Sequence, residues 1–305
     1  MAAFNEEEHI SEAIDSILNQ TYDDFELIIV DDASDDATTE IVDSYEDERI
    51  QLLENQSNKG LPASLNLGIK ASKGTYIARM DADDRSLPSR LESQVNLLDH
   101  RSDIQVVGSW TRVIDESGSV IGPVEYEEME YTPNMIKNEG PGIAHPSVMT
   151  RKRALQRVGG YREKFVYAQD LDLWVRMARI FSDDFIKIIP EILFERRVTP
   201  EMYEKKLLKQ EFGNYAGEPP SEIPNYEKIS SNTPSLSKAT QYHLYHYKMG
   251  RWSLQAGKRL KSFSHIRRSI LYQPLALCPW YGLFLLLLPD LARKYIANYI
   301  KSYFF

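Results

Sequence analysis

The sequence predicts an α/β protein built on a mostly parallel sheet flanked by helices, followed by a helical region of different character. Three observations carry this. Apolar β-type runs alternate with segments of helical spacing through the first hundred residues. Phe25–Val30 reads as a continuous apolar strand, the pattern of a parallel strand covered on both faces. Charge is also unevenly spread: Asp31, Asp32, Asp35, Asp36, Asp81, Asp83 and Asp84 crowd the first part, whereas eleven Lys and Arg face one acid, Asp290, from Lys238 onward.

Taken in order, residues 5–19 predict a helix, with Ile10, Ala13, Ile14, Ile17 and Leu18 on one face and Glu6–Glu8 in the first turn, where the helix dipole favours anions. The Phe25–Val30 strand ends in Asp31-Asp32. A helix through Ile41, Val42 and Tyr45 follows, then a short strand at Ile50–Leu53. A turn-rich loop spans Asn55–Gly60, and a helix from Pro62 to Ala71 starts on its proline. The strand Thr75–Ala78 leads into Asp81, and a helix covers Arg90–Leu98. Beyond residue 100, Val106–Trp110, Glu116-Ser117-Gly118 and Val120-Ile121 predict a β-excursion, and 123–143 a loop. His145–Met149 returns to the sheet. A helix over 151–158 stops at Gly159-Gly160, and Asp170 opens another. The expected organisation is a catalytic domain over 1–214, a proline-bearing linker over 215–235 and a helical tail over 236–305.

Bulk properties narrow the function. With 305 residues, 42% hydrophobic and 27% charged, the chain has material for a core. A net charge of -9 argues against a nucleic-acid binder, which needs a basic face. One cysteine excludes an internal disulfide framework and a cysteine zinc cluster. No charged-then-apolar leader opens the sequence, which predicts a cytoplasmic active region.

The stretch Met80-Asp81-Ala82-Asp83-Asp84 concentrates the chemistry. Three carboxylates within four residues repel one another and need a cation among them, or full hydration. Oxygen ligands at the end of a strand suit Mg²⁺ or Mn²⁺, which commonly bind a diphosphate as well. A solvated acidic turn is the plain alternative.

Asn5-Glu6-Glu7, Ile17–Thr21, Phe25–Asp32, Asn58-Lys59-Gly60, Asp81–Asp84, Gly159-Gly160-Tyr161 and Gln169–Trp174 occur in that order. Together they resemble a family 2 glycosyltransferase of the GT-A fold over about residues 3–200. The resemblance implies an inverting transferase that moves a sugar from a nucleoside diphosphate sugar, UDP- or GDP-linked, to a hydroxyl of a glycan or lipid-linked saccharide. It implies Asp32 at the nucleotide base, Asp81 at the ribose, Asp83 as ligand to Mn²⁺ or Mg²⁺ with Asp84 as an alternative ligand, and Asp170 as general base. Lys59 and Arg79 fall near the nucleotide in the same order, though Lys59 also fits a solvated loop charge. Asp32 and its neighbours equally fit a helix-capping cluster, with Ser34 or Asp35 as cap, and Asp170 fits an N-cap. Asp172 is the weaker base. Trp174 lies in an apolar stripe and reads as core rather than sugar platform. His145 resembles a histidine found before the second half of the family's site, which implies a contact to metal or phosphates, but beside Pro146 it reads as structural.

Two departures stand out. The family has Glu before the base, where this chain has Gln169. The family also begins with a buried apolar strand, of which only Met1-Ala2-Ala3-Phe4 remains, so the start is expected upstream or the product damaged. Rival readings are a sugar-phosphate nucleotidyltransferase, disfavoured by the lack of a Gly-rich loop after the first strand, and a nucleotide-binding or scaffolding relic. A processive synthase is disfavoured because long membrane spans are absent.

Leu275–Leu288 is apolar and interrupted by Pro279 and Gly282. As a helix it reaches about 21 Å at ~1.5 Å per residue, short of a hydrocarbon core of about 30 Å. With Tyr295, Tyr299, Tyr303, Phe304 and Phe305 among Arg293, Lys294 and Lys301, it predicts an interfacial, membrane-associating tail on the cytoplasmic face. A helical hairpin packed on protein is the alternative.

Overall fold

A computed structural model describes residues 1–274, other than 128–130, 204, 205, 234 and 257, together with Ala276 and Pro279. The chain folds as two units. The first contains Met1–Val113, Val124–Arg197 and Leu207–Pro234; the second contains Ile114–Pro123, Val198–Lys206 and the described residues from Ser235 on.

In the first unit, β1 (Ala2–Ala3), β2 (Leu27–Asp31) and β3 (Ile50–Glu54) form a parallel sheet in that order. Helices α1 (Ile10–Leu18) and α2 (Thr38–Asp43) make the two crossovers. Every residue of β2 is buried, as its apolar run requires, and Ile10, Ala13 and Ile14 of α1 pack with Ile29, Val42 and Phe194. The first strand is therefore present, but two residues long. Val30 N–H donates to Met1 O at 2.9 Å and Asp32 N–H to Ala3 O at 2.8 Å. Beside β1 lies a cavity of 770 Å³ whose walls include Leu27, Ile28, Leu65, Tyr76, Ala78 and Met149.

The chain continues through α3 (Leu61–Ala71), β4 (Tyr76–Ala78), β5 (Arg85–Ser86), α4 (Arg90–His100), β6 (Val106–Ile114) and β7 (Val120–Val124). Then come α5 (Pro133–Glu139), β8 (Met149–Arg151), α6 (Lys152–Arg157), α7 (Gln169–Ala178) and β9 (Ile186–Arg197). Here the second sheet runs β4-β8-β6-β9-β5, and β4/β8, β6/β8 and β5/β9 pair antiparallel. The parallel arrangement thus holds for β1–β3, where helical crossovers return the chain in the same direction. One bridge, Ala2 to Asp81, links the two sheets. A second core surrounds Trp174, fully buried among Tyr131, Leu173, Met177 and Phe185. The 123–143 stretch is not all loop: Thr132 caps α5, its hydroxyl accepting Met135 N–H at 3.3 Å.

After α8 (Lys206–Gly213), residues 215–235, expected as a linker, carry α9 (Tyr226–Asn232). Ile223 and Ile229 bury against Phe165 and Phe212. Two apolar anchors hold the segment on the unit despite its prolines.

The second unit is built on α10 (Lys238–Gln255) and α11 (Arg259–Tyr272). Ser237 caps α10, accepting Thr240 N–H. A Cβ at Gly250 would lie 2.5 Å from Ile266, so the missing side chain lets the two helices approach closely. Ser262 Oγ donates to Gly250 O at 2.8 Å, and His246 Nδ1 lies 3.1 Å from His265 Nδ1. Among the described residues no helix is long and apolar enough to cross a membrane. The expected interfacial segments, 275–288 and 290–305, lie outside the described residues except for Ala276 and Pro279.

Candidate active site

The loop after β4 brings Asp81, Asp83 and Asp84 together, one carboxylate oxygen of each within 4.8 Å of the others. Each is held differently. Buried Arg79 forks onto Asp81, with Nη1 donating to Oδ2 at 2.7 Å. Asp84 is buried; its Oδ1 accepts Arg197 N–H at 2.7 Å, while its Oδ2 has no hydrogen-bond partner among the described residues. The Asp83 carbonyl accepts from Arg197 Nε at 2.8 Å. Arg197 also donates through Nη2 to Glu12 Oε2 at 2.5 Å, which fastens the loop to α1.

Burial pushes the Asp83 carboxyl up to about 6, and the charge of Asp81 adds to it. Burial, then Asp83 and Asp81, holds Asp84 well above the usual carboxylate range. Glu6 is pushed up to about 8 by burial and by Asp83, Asp81 and Asp36. A group of acids held partly neutral, one with an orphaned buried oxygen, fits a hard divalent cation of the Mg²⁺ or Mn²⁺ kind.

Asp32 lies at the end of β2. Its Oδ1 accepts from Asn55 Nδ2 at 2.7 Å and Lys59 N–H at 2.8 Å, and its Oδ2 accepts Gly60 N–H at 2.8 Å. The carboxylate therefore shapes the 55–60 loop, where Gly60 takes φ +85° as only glycine readily does. Lys59 joins Asp32 through its backbone, and its side chain is exposed. Asp31 holds Ser34, accepting both its N–H and its hydroxyl.

The expected start of α1 is corrected here. Residues 5–9 precede the helix, and Asn5, Glu6 and Glu7 clasp the 34–38 segment. Asn5 N–H donates to Ser34 Oγ at 2.9 Å, Glu6 N–H to Thr38 Oγ1 at 2.8 Å and Glu7 N–H to Asp36 Oδ2 at 3.0 Å. Ser34 and Asp35 are consequently not the caps of α2; Asp36 Oδ1 accepts Thr38 N–H at 2.9 Å.

Asp170 is the second residue of α7, and its Oδ1 accepts Leu171 N–H at 2.9 Å. It is not the N-cap; that position is Ala168, at φ +58°. The three non-glycine residues with positive φ are Asn5, Ala33 and Ala168 among the described residues, each within two residues of a candidate or motif position. Asp170 and Asp81 both act on the buried Tyr161 hydroxyl, which burial holds above its ordinary range. That hydroxyl lies 2.7 Å from His145 Nε2. His145 is buried against Tyr161 and Trp174, and burial holds its ring well below the usual range. Asp172 is fully buried and bound by Arg176 Nε at 2.8 Å and Gly217 N–H at 3.0 Å, which leaves it no part as a base.

Tyr161, Arg197 and Glu6 carry no assigned role in the sequence reading. Tyr161 and Glu6 lie inside the family motifs; nothing local marks Arg197, whose partners Asp84, Asp83 and Glu12 are 113, 114 and 185 positions away.

The sequence pattern of Glycosyl transferase family 2 matches residues 1–159. An uncharacterized glycosyltransferase of Methanocaldococcus jannaschii is 36% identical over 223 residues, 70% of this chain and 75% of that protein. The Escherichia coli UDP-Glc:alpha-D-GlcNAc-diphosphoundecaprenol beta-1,3-glucosyltransferase WfgD is 31% identical over 180 residues, 59% of this chain and 68% of its own length. In fold, the chain is similar to S. aureus TarS 1-349 crystallised with UDP, with a TM-score of 0.54 at 18% identity, over 90% of this chain and 79% of the other.

Proposed function

The chain belongs to glycosyltransferase family 2, and from that premise we propose that it transfers one sugar from a UDP-sugar to a hydroxyl of a lipid-linked saccharide, inverting the anomeric carbon. Glycosyl transfer follows from membership of the family; donor, stereochemistry and acceptor are the finer reading. The observation that carries it is the Asp81/Asp83/Asp84 cluster after β4, with the Asp83 and Asp84 carboxyls held above their ordinary range and, among the described residues, no partner for the buried Asp84 Oδ2.

In this reading Asp32 orders the loop that receives the base, Lys59 stands on that loop, and Asp81 meets the ribose while paired to Arg79. Asp83 and Asp84 would hold Mn²⁺ or Mg²⁺, which when bound supplies electrostatic stabilisation to a diphosphate leaving group. Asp170 takes the proton of the acceptor hydroxyl at Oδ2, since Oδ1 is engaged by Leu171 N–H. The acceptor oxygen then bonds the anomeric carbon from the face opposite the breaking C–O bond, and the electron pair leaves with the nucleoside diphosphate. Gln169 in place of a carboxylate leaves Asp170 as the acid–base group at the start of α7. The names of WfgD and of the TarS complex support a UDP-linked donor, and that of WfgD supports an acceptor on a lipid diphosphate. Such an acceptor places the working enzyme at the cytoplasmic surface of a membrane.

Calorimetric titration with UDP and with GDP, each with and without Mn²⁺, tests the site. Mn²⁺-dependent binding of UDP that Asp83→Ala abolishes is the expected result. Cation-independent binding, or binding that survives Asp83→Ala, would overturn the assignment. NMR of the anomeric proton in product made from a UDP-sugar tests inversion, and retention of configuration refutes it.

A further inference from the structure

We propose that the outer face of α11 is a docking surface for an anionic lipid bilayer. The proposal deepens the membrane-surface part of the reading above and names the element that makes the contact. Helix α11 has two faces. Ser262, His265, Ile266 and Ser269 are buried, and three of them bond or pack onto α10 through Gly250, His243 and His246. Leu260, Phe263, Arg267 and Leu271 recur at spacings of three and four on the opposite side, and all are exposed. Leu260 is 88% exposed and Leu271 72%. Arg268 and Tyr272 lie exposed one position on from Arg267 and Leu271.

One solvated leucine is ordinary; a stripe of three large apolar side chains interleaved with arginines is not. The interleaving decides between occupants. A protein partner gathers apolar residues at a centre depleted of charge, with a polar rim. A bilayer surface presents headgroup charge and acyl chain within about 5–10 Å, so cations and apolar side chains alternate along one helix face. Charge points the same way. No carboxylate side chain occurs between Glu227 and Asp290 in the sequence; of the acids on the other segments of this unit, Asp115, Glu116, Glu201 and Glu204, Asp115 is paired with Lys261 at 3.0 Å. Nothing on α10 or α11 therefore repels phosphate. In sequence, the 31 residues after Pro274 continue the composition, with Trp280, Tyr281, a leucine run and three further cations.

The full chain is sedimented with phosphatidylcholine vesicles and with vesicles that also contain phosphatidylglycerol. The expected result is binding to the anionic vesicles only, reversed by salt. Arg267→Gln with Arg268→Gln is expected to weaken it about 30-fold, at about fivefold per charge. Leu260→Ser with Phe263→Ser is expected to weaken it as well. Circular dichroism and transfer to a soluble acceptor confirm that the variants are folded. Absence of binding to anionic vesicles overturns the proposal. So does binding that neither pair of substitutions reduces, which places the contact in residues after 274. Self-association of the wild type that both variants abolish, without lipid binding, makes a second copy the occupant. Transfer to a soluble acceptor without vesicle binding refutes this proposal alone. Vesicle binding without transfer refutes the catalytic reading alone.

Discussion

Arg197 donates its backbone N–H to Asp84 Oδ1 at 2.7 Å, while its guanidinium reaches the Asp83 carbonyl and Glu12. The last residue of β9 thus fixes the conformation of the acidic loop after β4. Arg197→Ala keeps the backbone bond and removes the other two. A loss of about 2 kcal/mol is expected, as Glu12 is half exposed and recovers part of its hydration. Urea unfolding measures that loss, and the same variant is expected to bind UDP with Mn²⁺ at least tenfold more weakly. Unchanged nucleotide affinity would show that the loop holds its shape without Arg197.

Asp32→Asn replaces an oxygen that accepts from the 55–60 loop with an amide that donates. Whichever way the amide turns, it faces at least one of the Lys59 and Gly60 N–H groups. The expected cost is about 1.5–3 kcal/mol for losing a charged acceptor at a buried position. The KM for the donor should rise more than kcat falls, because the loop binds and does not react. Steady-state kinetics separates the two effects.

The acid cluster and Glu6 give a pH dependence with a definite sign. Burial raises Glu6 from 4.5 to about 8 and Asp83 from 3.8 to about 6. A raised carboxylate favours the protonated folded state. Its stabilising contribution is complete below about pH 4 and is lost as pH rises through about 6 for Asp83 and about 8 for Glu6. Glu6→Gln is expected to remove the upper limb. The difference in melting temperature between wild type and Glu6→Gln, followed from pH 4 to 9 without added metal, measures it. Mn²⁺ should raise the melting temperature more at pH 8 than at pH 5, where it competes with protons.

The second unit carries the opposite sign. Burial lowers both His246 and His265 from 6.5 to about 4, helped by His265 and Arg268 for His246 and by Lys261 and Arg268 for His265. Tyr242, Tyr245 and Tyr272 crowd the pair, Lys261 and Arg268 act on it, and Asp115 opposes them for His265. The unfolded chain binds more protons between those pH values, so the contribution present above about 6.5 is lost as pH falls through about 4. Amide protection factors in α10 and α11, corrected for the intrinsic pH dependence of exchange, should fall over that interval while those of β2 hold. His265→Gln should flatten the response. Protection factors in α10 that do not change with pH would refute the account.

Local chemistry was legible where the signal was local. The apolar run ending in Asp31-Asp32 announced β2, Pro62 announced the start of α3, and helical spacing announced α4 and α7. The three acids after β4 pointed to one another because they are nearly adjacent in sequence. Glu6–Glu8 misled for the same reason, since acids before an apolar periodicity look like a first helical turn. Glu6 and Glu7 belong instead, with Asn5, to a clasp with Ser34–Thr38, some thirty positions away. Strand β9 carries Pro190 and ends in Glu195-Arg196-Arg197, a pattern with no clean alternation. Its charges are buried by partners brought from elsewhere: Glu195 sits at 2.6 Å from Arg85 and also pairs with Arg112. No window of the sequence contains both halves of such an ion pair. The length of β1 is a further example, because two residues give no period to read.

The pairing of β5 with β9 also sets a timetable. Asp84 and its partner Arg197 are 113 positions apart, so at about 5–20 residues per second a ribosome needs roughly 6–23 s to produce the second after the first. Met1–Glu54, with all three strands of the parallel sheet, exists long before that. The nascent chain therefore holds its three acids on an unanchored loop for many seconds, and becomes competent at this site only when β9 is made.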